Sequence, residues 1–344
     1  MIDLAGRQVR FLCDFGPAFT GADFRGSGVG GTEACVVLLA EEAVTRGARV
    51  VVANNVPACT WERGVEYEPL RSATGGAADI VVLWKHWTDT AVNWTGRRIF
   101  LWTDAHTPDP AALRRARSWA DISFTLSRFQ LEHLAGVTGR ERLLSLDAAP
   151  IAVDDYLGDL ETKERLLLYC SVPDRGLYYL KDLFPRIRRR VPDARLAISS
   201  DFSLWGAEPA QAAFRRFFEG HDGVDYHGHV SREELVGLQR RARVMAYPCN
   251  FPEGFCLAAA ECCAAGAVPV TTRNYALVQS VADGGVLIPG HPRGWFYRRR
   301  FVRACVDLLT DDACWRAYAE KGRRRAHELF SPSRVLNRLL EGVA

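Results

Sequence analysis

Lysine is nearly absent from this chain, standing only at positions 85, 163, 181 and 321. Arginine carries the rest of the basic charge; with the many alanines and glycines this reads as the base composition of a GC-rich coding sequence. No apolar run approaches the roughly 20 residues that cross a bilayer, so neither a membrane span nor membrane association is expected. The first residues lack the pattern of a secretory leader, and the expected location is cytoplasmic. Net charge is only +3, too small for bulk attraction to nucleic acid. None of the ten cysteines falls in a C-x-x-C pair, which argues against a zinc ribbon. Scattered among apolar neighbours, they read as reduced core thiols. No D-x-D sequence ends a candidate strand, so no metal and no other cofactor is expected. Internal repeats and low-complexity segments are lacking too.

What is present is a soluble globular composition, with 48% hydrophobic and 25% charged residues. A length of 344 residues suits two domains. The most informative stretch is 245–270. Met245-Ala246-Tyr247 closes an apolar run, so a strand ends near Pro248. A loop with two prolines follows, and Gly254 allows a tight turn. From Phe255 or Cys256 onward, small residues suit a closely packed helix, which Gly266 ends as a C-terminal cap. Val268-Pro269-Val270 begins the next strand. Strand, loop, helix, strand is a parallel α/β unit, in which ligands sit at the carboxyl ends of strands. Glu253 and Glu261 bracket the helix start; at helical rise they lie about 12 Å apart along the axis. The first-turn amides of Gly254, Phe255, Cys256 and Leu257 carry partial positive charge and suit a phosphate. A diphosphate seated there would place one carboxylate near each sugar of a nucleotide-sugar.

Glu253, the adjoining Gly254-Phe255, the small-residue helix and the Gly-x-x-Pro-Val exit together resemble the E-x7-E donor motif of the family-4 retaining glycosyltransferases. The resemblance implies a GT-B fold: an α/β chain of two Rossmann-like domains whose parallel sheets face a central cleft. It implies that Glu253 approaches the donor hexose and Glu261 binds the ribose hydroxyls. The family usually has Gly where Cys256 stands, but only a backbone amide acts there.

The rest of the chain agrees in order. Residues 8–13 form an apolar strand, 14–31 a glycine-rich loop, 34–45 a helix and 49–53 a strand. Gly26, Gly28 and Gly31 fit a dinucleotide fingerprint only loosely. Gly30-Gly31-Thr32-Glu33 instead resembles the family's G-G-x-E loop, which implies that the amides of Gly30 and Gly31 approach the donor. Strands at 79–84 and 98–102 end in polar clusters holding His86, Asp104 and His106. His106 is the better match to the family's functional histidine, a catalytic role; His86, Asp104 and His106 are the acceptor-side candidates. The 110–119 helix is expected to point Arg114, Arg115 and Arg117 outward. A linker is placed at 147–156, where Pro150 and three acids fall.

In the second half, Ser171 to Leu177 resembles the donor-phosphate loop, with Arg175-Gly176 at the family's Lys-Gly position; the upstream Arg is missing. Ser171 and Arg175 are therefore donor-side, and Arg175 is also catalytic through the leaving phosphate. His227-Gly228-His229-Val230 resembles the base-binding turn, which implies nucleobase contacts from His229 and Val230. Arg186 to Arg190 reads as a solvated helix face. The expected domains are 1–153 for the acceptor, 154–328 for the nucleotide-sugar, and a final 329–344 helix packing back on the first.

The expected function is metal-independent, retaining transfer of a hexosyl group from a UDP-, GDP- or ADP-linked donor to a hydroxyl of a small-molecule or glycan acceptor. Partners are these two substrates, with no nucleic acid. Three alternatives stay open: a GT-B epimerase or phosphorylase, a non-catalytic nucleotide-sugar-binding protein, and a Rossmann dehydrogenase.

Overall fold

A computed structural model describes residues 2–85, 89–104, 109–158, 160, 163–202 and 214–342. The chain divides into two compact units, Met1–Ile151 with Phe330–Ala344, and Ala152–Leu329.

The first unit is built on β1 (Gln8–Cys13), β2 (Arg49–Asn54), β3 (Thr60–Glu62), β4 (Val65–Pro69), β5 (Gly76–Trp84), β6 (Trp94–Trp102), β7 (Ile122–Thr125) and β8 (Leu143–Ser145). Their order is β3-β4-β2-β1-β5-β6-β7-β8. All neighbours pair in parallel except β3, which runs antiparallel to β4. The β3–β4 hairpin is absent from the sequence reading, because its half-exposed strands lack a clean apolar run. A short helix, Gly21–Arg25, interrupts the expected glycine loop, and Thr20 caps it by accepting from the Asp23 amide.

Arg117 corrects an expectation. It lies on the Pro110–Ser118 helix but is buried, not outward. Its guanidinium donates to the Thr138 and Gly139 carbonyls at 3.0 and 2.6 Å, and to that of Glu141. It thereby closes the carbonyl end of the Arg128–Thr138 helix, whose last groups have no intrahelical partner. The Pro332–Glu341 helix packs against Gly31–Thr45 within this unit. Arg46 fastens it, donating to the Ser333 carbonyl at 2.8 Å and to Asn337 at 2.6 Å.

The second unit holds β9 (Glu164–Tyr169), β10 (Arg195–Ile198), β11 (Val224–Tyr226), β12 (Ala242–Tyr247), β13 (Val268–Thr272) and β14 (Val286–Ile288). The order is β11-β10-β9-β12-β13-β14, all parallel. Central strands β12 and β13 are buried at every residue and mostly apolar, as in sheets covered on both faces. Helices Leu177–Arg188, Arg232–Arg241, Leu257–Ala265, Trp295–Thr310 and Asp312–Leu329 belong to this unit. Gly266 takes the left-handed conformation at φ 80° that ends Leu257–Ala265. Buried Lys163 then donates to the carbonyls of Ala265 at 2.6 Å, Gln239 at 3.3 Å and Arg240. One ammonium thus holds the ends of two helices together.

Candidate active site

In the second unit, β10 and β11 lie on one side of β9, while β12, β13 and β14 continue on the other. The direction in which successive strands are added therefore reverses between β9 and β12, and such a point opens a crevice at the carboxyl ends of the strands. Arg175 follows β9 and Glu253 follows β12. The two loops meet because Gly176 has φ 128°; a Cβ there would lie 2.4 Å from the Pro248 carbonyl oxygen. A glycine is the residue that allows this approach.

Arg175 Nη1 donates to both Glu253 carboxylate oxygens, at 3.1 and 3.0 Å. Its guanidinium also lies over the Phe251 ring, 4.5 Å from the centroid. Tyr247 donates its hydroxyl to Glu253 Oε1. Burial, then the Glu253 charge, keeps Tyr247 well above the ordinary phenol range, so it stays a neutral donor. Burial alone would lower the Arg175 pKa, but Glu253 outweighs it and the guanidinium stays charged. Behind them runs a hydrogen-bond chain across four strand ends. Tyr226 donates to the Ser200 carbonyl at 3.1 Å, Ser200 to the Ser171 carbonyl, and Ser171 shares a 3.1 Å bond with the Tyr247 hydroxyl.

Beside this pair stands the start of Leu257–Ala265. Cys256 is its N-cap, and no side-chain hydrogen bond caps it. Its first-turn amides have no intrahelical acceptor. The helix begins at Leu257, so uniform helical rise does not describe the whole path from Glu253 to Glu261. Both carboxylates are buried, Glu253 to 2% exposure and Glu261 to 9%.

Glu261 has its own cation. Arg232 Nη1 donates to Glu261 Oε1 at 2.6 Å, and Gln239 donates to Oε2 at 3.3 Å. Arg232 also reaches Asp155 Oδ2 from Nη2 at 2.8 Å and from Nε at 3.1 Å. Tyr156 closes the set by donating to the Gln239 side-chain oxygen at 2.5 Å. A capping box between Ser231 and Glu234 sets the start of the helix that carries Arg232 and Gln239.

Residues 164–311 match the family described as Glycosyl transferases group 1. Across the full chain, similar solved structures are Anabaena HepE in complex with UDP-glucose and sucrose-phosphate synthase from Thermosynechococcus elongatus. The first superposes with TM-score 0.73 at 14% identity, covering 97% of this chain and 98% of that one. The second has TM-score 0.71 at 16% identity, with coverages of 97% and 98%. The chain has the GT-B fold. A curated relative is the GDP-mannose-dependent alpha-(1-6)-phosphatidylinositol monomannoside mannosyltransferase of Mycolicibacterium smegmatis, 27% identical over 240 residues. That match takes in 62% of this chain and spans 60% of the relative's length.

In this GT-B chain the matched segment contains Ser171, Arg175, His229, Val230, Glu253 and Glu261. His229 is exposed and Val230 half-buried, just past β11 at the same sheet edge. Thr271 Oγ1, within β13, and Asn274 Oδ1, just after it, are buried without a hydrogen-bond partner among the described residues.

In the first unit the direction reverses between β1 and β5. Gly30 is the N-cap of Gly31–Thr45, and buried Glu33 folds its carboxylate over it; a Cβ on Gly30 would lie 2.3 Å from Glu33 Oε2. Lys85 pairs with Asp104 at 2.8 Å across the ends of β5 and β6. His86 and His106 lie outside the described residues. The partners Tyr247, Arg232, Gln239 and Asp155 went unread in the sequence, and Glu33 was read only as the last residue of the G-G-x-E loop. The signal for Tyr247 was its place as last residue of an apolar strand before the motif. Arg232 carried none, since its partners are distant in sequence.

Among the described residues no helix is long and apolar enough to cross a membrane, and no cluster of three His, Cys, Asp or Glu is placed to hold a metal ion.

Proposed function

We propose that this chain is a retaining, metal-independent glycosyltransferase of the family-4 type, with Glu253 and Glu261 as its E-x7-E pair. It moves a hexosyl group from a UDP-, GDP- or ADP-linked donor to a hydroxyl of a glycan or small-molecule acceptor. The observation that carries the proposal is the pairing of partly exposed Arg175 with buried Glu253 at the β9/β12 crevice, beside a helix start that no side chain caps. Arg175 uses Nη1 on Glu253, and its Nε and Nη2 make no hydrogen bond among the described residues. Those donors suit phosphate oxygens in a forked geometry.

In the proposed reaction the donor diphosphate engages Arg175 and the amides of Gly254, Phe255, Cys256 and Leu257. This loosens the grip on Glu253, which then accepts hydrogen bonds from the hexose. Glu261, already oriented by Arg232 and Gln239, takes the two ribose hydroxyls. Ser171 keeps Tyr247 in place, and backbone groups of His229 and Val230 meet the base. The bond from the anomeric carbon to the diphosphate oxygen breaks while the acceptor oxygen bonds to the same face of that carbon. The acceptor proton passes to the leaving phosphate. Stabilising negative charge as it develops on that phosphate is the main catalytic term. His106, His86 and Asp104 are the acceptor-side candidates of the first unit, and Gly30 and Gly31 its donor-side amides.

A thermal-shift screen of UDP, GDP and ADP, followed by donor turnover in a chelator, tests this. The relative's name puts GDP-mannose first in the donor panel and lipid-linked mannosides among the acceptors. One nucleoside diphosphate is expected to raise Tm, and its sugar donor to be consumed with the anomeric configuration retained. Inverted product, a strict requirement for added divalent metal, or no nucleotide binding overturns the proposal.

A further inference from the structure

The Trp295–Thr310 helix of the second unit carries a face that the proposed reaction does not use. Trp295 is 63% exposed and Phe296 72%. Their rings meet edge to face at 4.8 Å, forming one projecting aromatic knob. At about 100° per residue, Trp295, Arg299, Arg303, Phe296 and Arg300 fall within an arc of about 140°. Tyr297, Phe301, Val302, Cys305, Leu308 and Leu309 fill the opposite arc and are buried. Arg299, Arg300 and Arg303 are exposed, and Arg299 lies over the Trp295 ring at 5.6 Å. Arg293, exposed just before the helix, adds a fourth cation. The acid on this arc is Asp307, which pairs with Arg303 at 3.5 Å.

We propose that this face docks on an anionic lipid surface. Burial of the apolar arc fixes which side the helix presents, so Trp295 and Phe296, the most exposed large apolar side chains among the described residues of the unit, are held outward by packing. Tryptophan and phenylalanine on a basic helix face partition into the headgroup region, where the rings leave water and the cations stay hydrated. Arginines on both sides of the knob meet lipid phosphates while the rings insert. The lack of an apolar run of spanning length bears only on a membrane span, and a peripheral face of five residues contains no such run. A nucleic-acid partner fits less well: the two rings stack on each other edge to face instead of offering separate platforms for bases.

Co-sedimentation of the full chain with vesicles tests the inference without reference to catalysis. Binding is expected to equimolar phosphatidylcholine and phosphatidylglycerol, to be weak on phosphatidylcholine alone, and to fall with added salt. Each arginine near such a surface strengthens binding about fivefold, so Arg299→Gln with Arg300→Gln should weaken it about 25-fold. Trp295→Ala with Phe296→Ala should abolish it and remove a blue shift in tryptophan emission on mixing. Both double variants are expected to keep the wild-type Tm and donor turnover without vesicles, since these side chains are exposed and outside the buried arc of the helix. Absence of binding to any vesicle overturns the inference, as does binding that neither double variant weakens. A wild-type dimer in light scattering that Trp295→Ala with Phe296→Ala makes monomeric, without vesicle binding, overturns it in favour of contact between copies. Failure of donor turnover with intact vesicle binding would count against the catalytic proposal alone.

Discussion

Arg232→Leu should cost far more stability than any exposed arginine, and the structure says how much. The Arg232 side chain is 11% exposed and its partner Glu261 12%. Removing the guanidinium leaves Glu261 buried with a single neutral donor, Gln239 at 3.3 Å. Breaking one side of a buried ion pair costs about 3 to 5 kcal/mol. The second arm, to Asp155, is 38% exposed on the acid side and adds at most about 1 kcal/mol. Leucine regains part of the loss by filling space against the Tyr156 ring, so about 3 kcal/mol is expected in the second unit. At about 2 to 4 °C per kcal/mol for a unit of this size, its Tm falls by roughly 6 to 12 °C. Differential scanning calorimetry reads this, with Arg324→Ala on an exposed helix position as control. Glu261→Leu and the double variant complete a cycle, in which the double loses clearly less than the sum because no lone charge remains buried. If Arg232→Leu melts within a degree or so of the control, or the two losses simply add, the Arg232–Glu261 contact is not holding the unit and the argument fails.

Three other outcomes are expected. Gly176→Ala puts a methyl 2.4 Å from the Pro248 oxygen at a left-handed φ, so it should lower Tm by a few degrees and erase any Tm gain from a nucleoside diphosphate; an unchanged nucleotide response refutes the loop contact. Burial holds the Glu33 carboxyl above its ordinary range, with Lys85 partly opposing. Above that range the unfolded chain loses this proton more readily than the folded one, so Glu33→Gln should raise Tm near neutral pH and leave it unchanged in strong acid. Iodoacetamide with intact-mass readout should label exposed Cys59 first, while Cys249 and Cys263, pushed up to about 12 by burial, stay unlabelled until the fold opens.

The strand–loop–helix units were legible because their signals are local: apolar runs, a Ser231–Glu234 capping box, a glycine at 266. Glu253 was legible as a functional acid only through its neighbours in sequence. Its burial was not, since Tyr247 and Arg175 come from separate strand ends. Arg117 went the other way, reading as one of three surface arginines until the carbonyl end of the next helix arrived beside it.

What the amino-acid order determined by itself is the periodicity that makes two parallel α/β units and the glycines that let loops approach. These depend on steric and hydrophobic preferences over a few residues, so they can be read from a window. What only the tertiary structure decided is which charges meet. Arg175 and Glu253 stand 78 positions apart and Arg232 and Asp155 77 apart, and no local rule links such residues. Electrostatic pairing is set by distance in space, and sheet order sets that distance. The exposure of Trp295 and Phe296 belongs to the same class, because a side chain is left in water only after every other face of its helix has been covered.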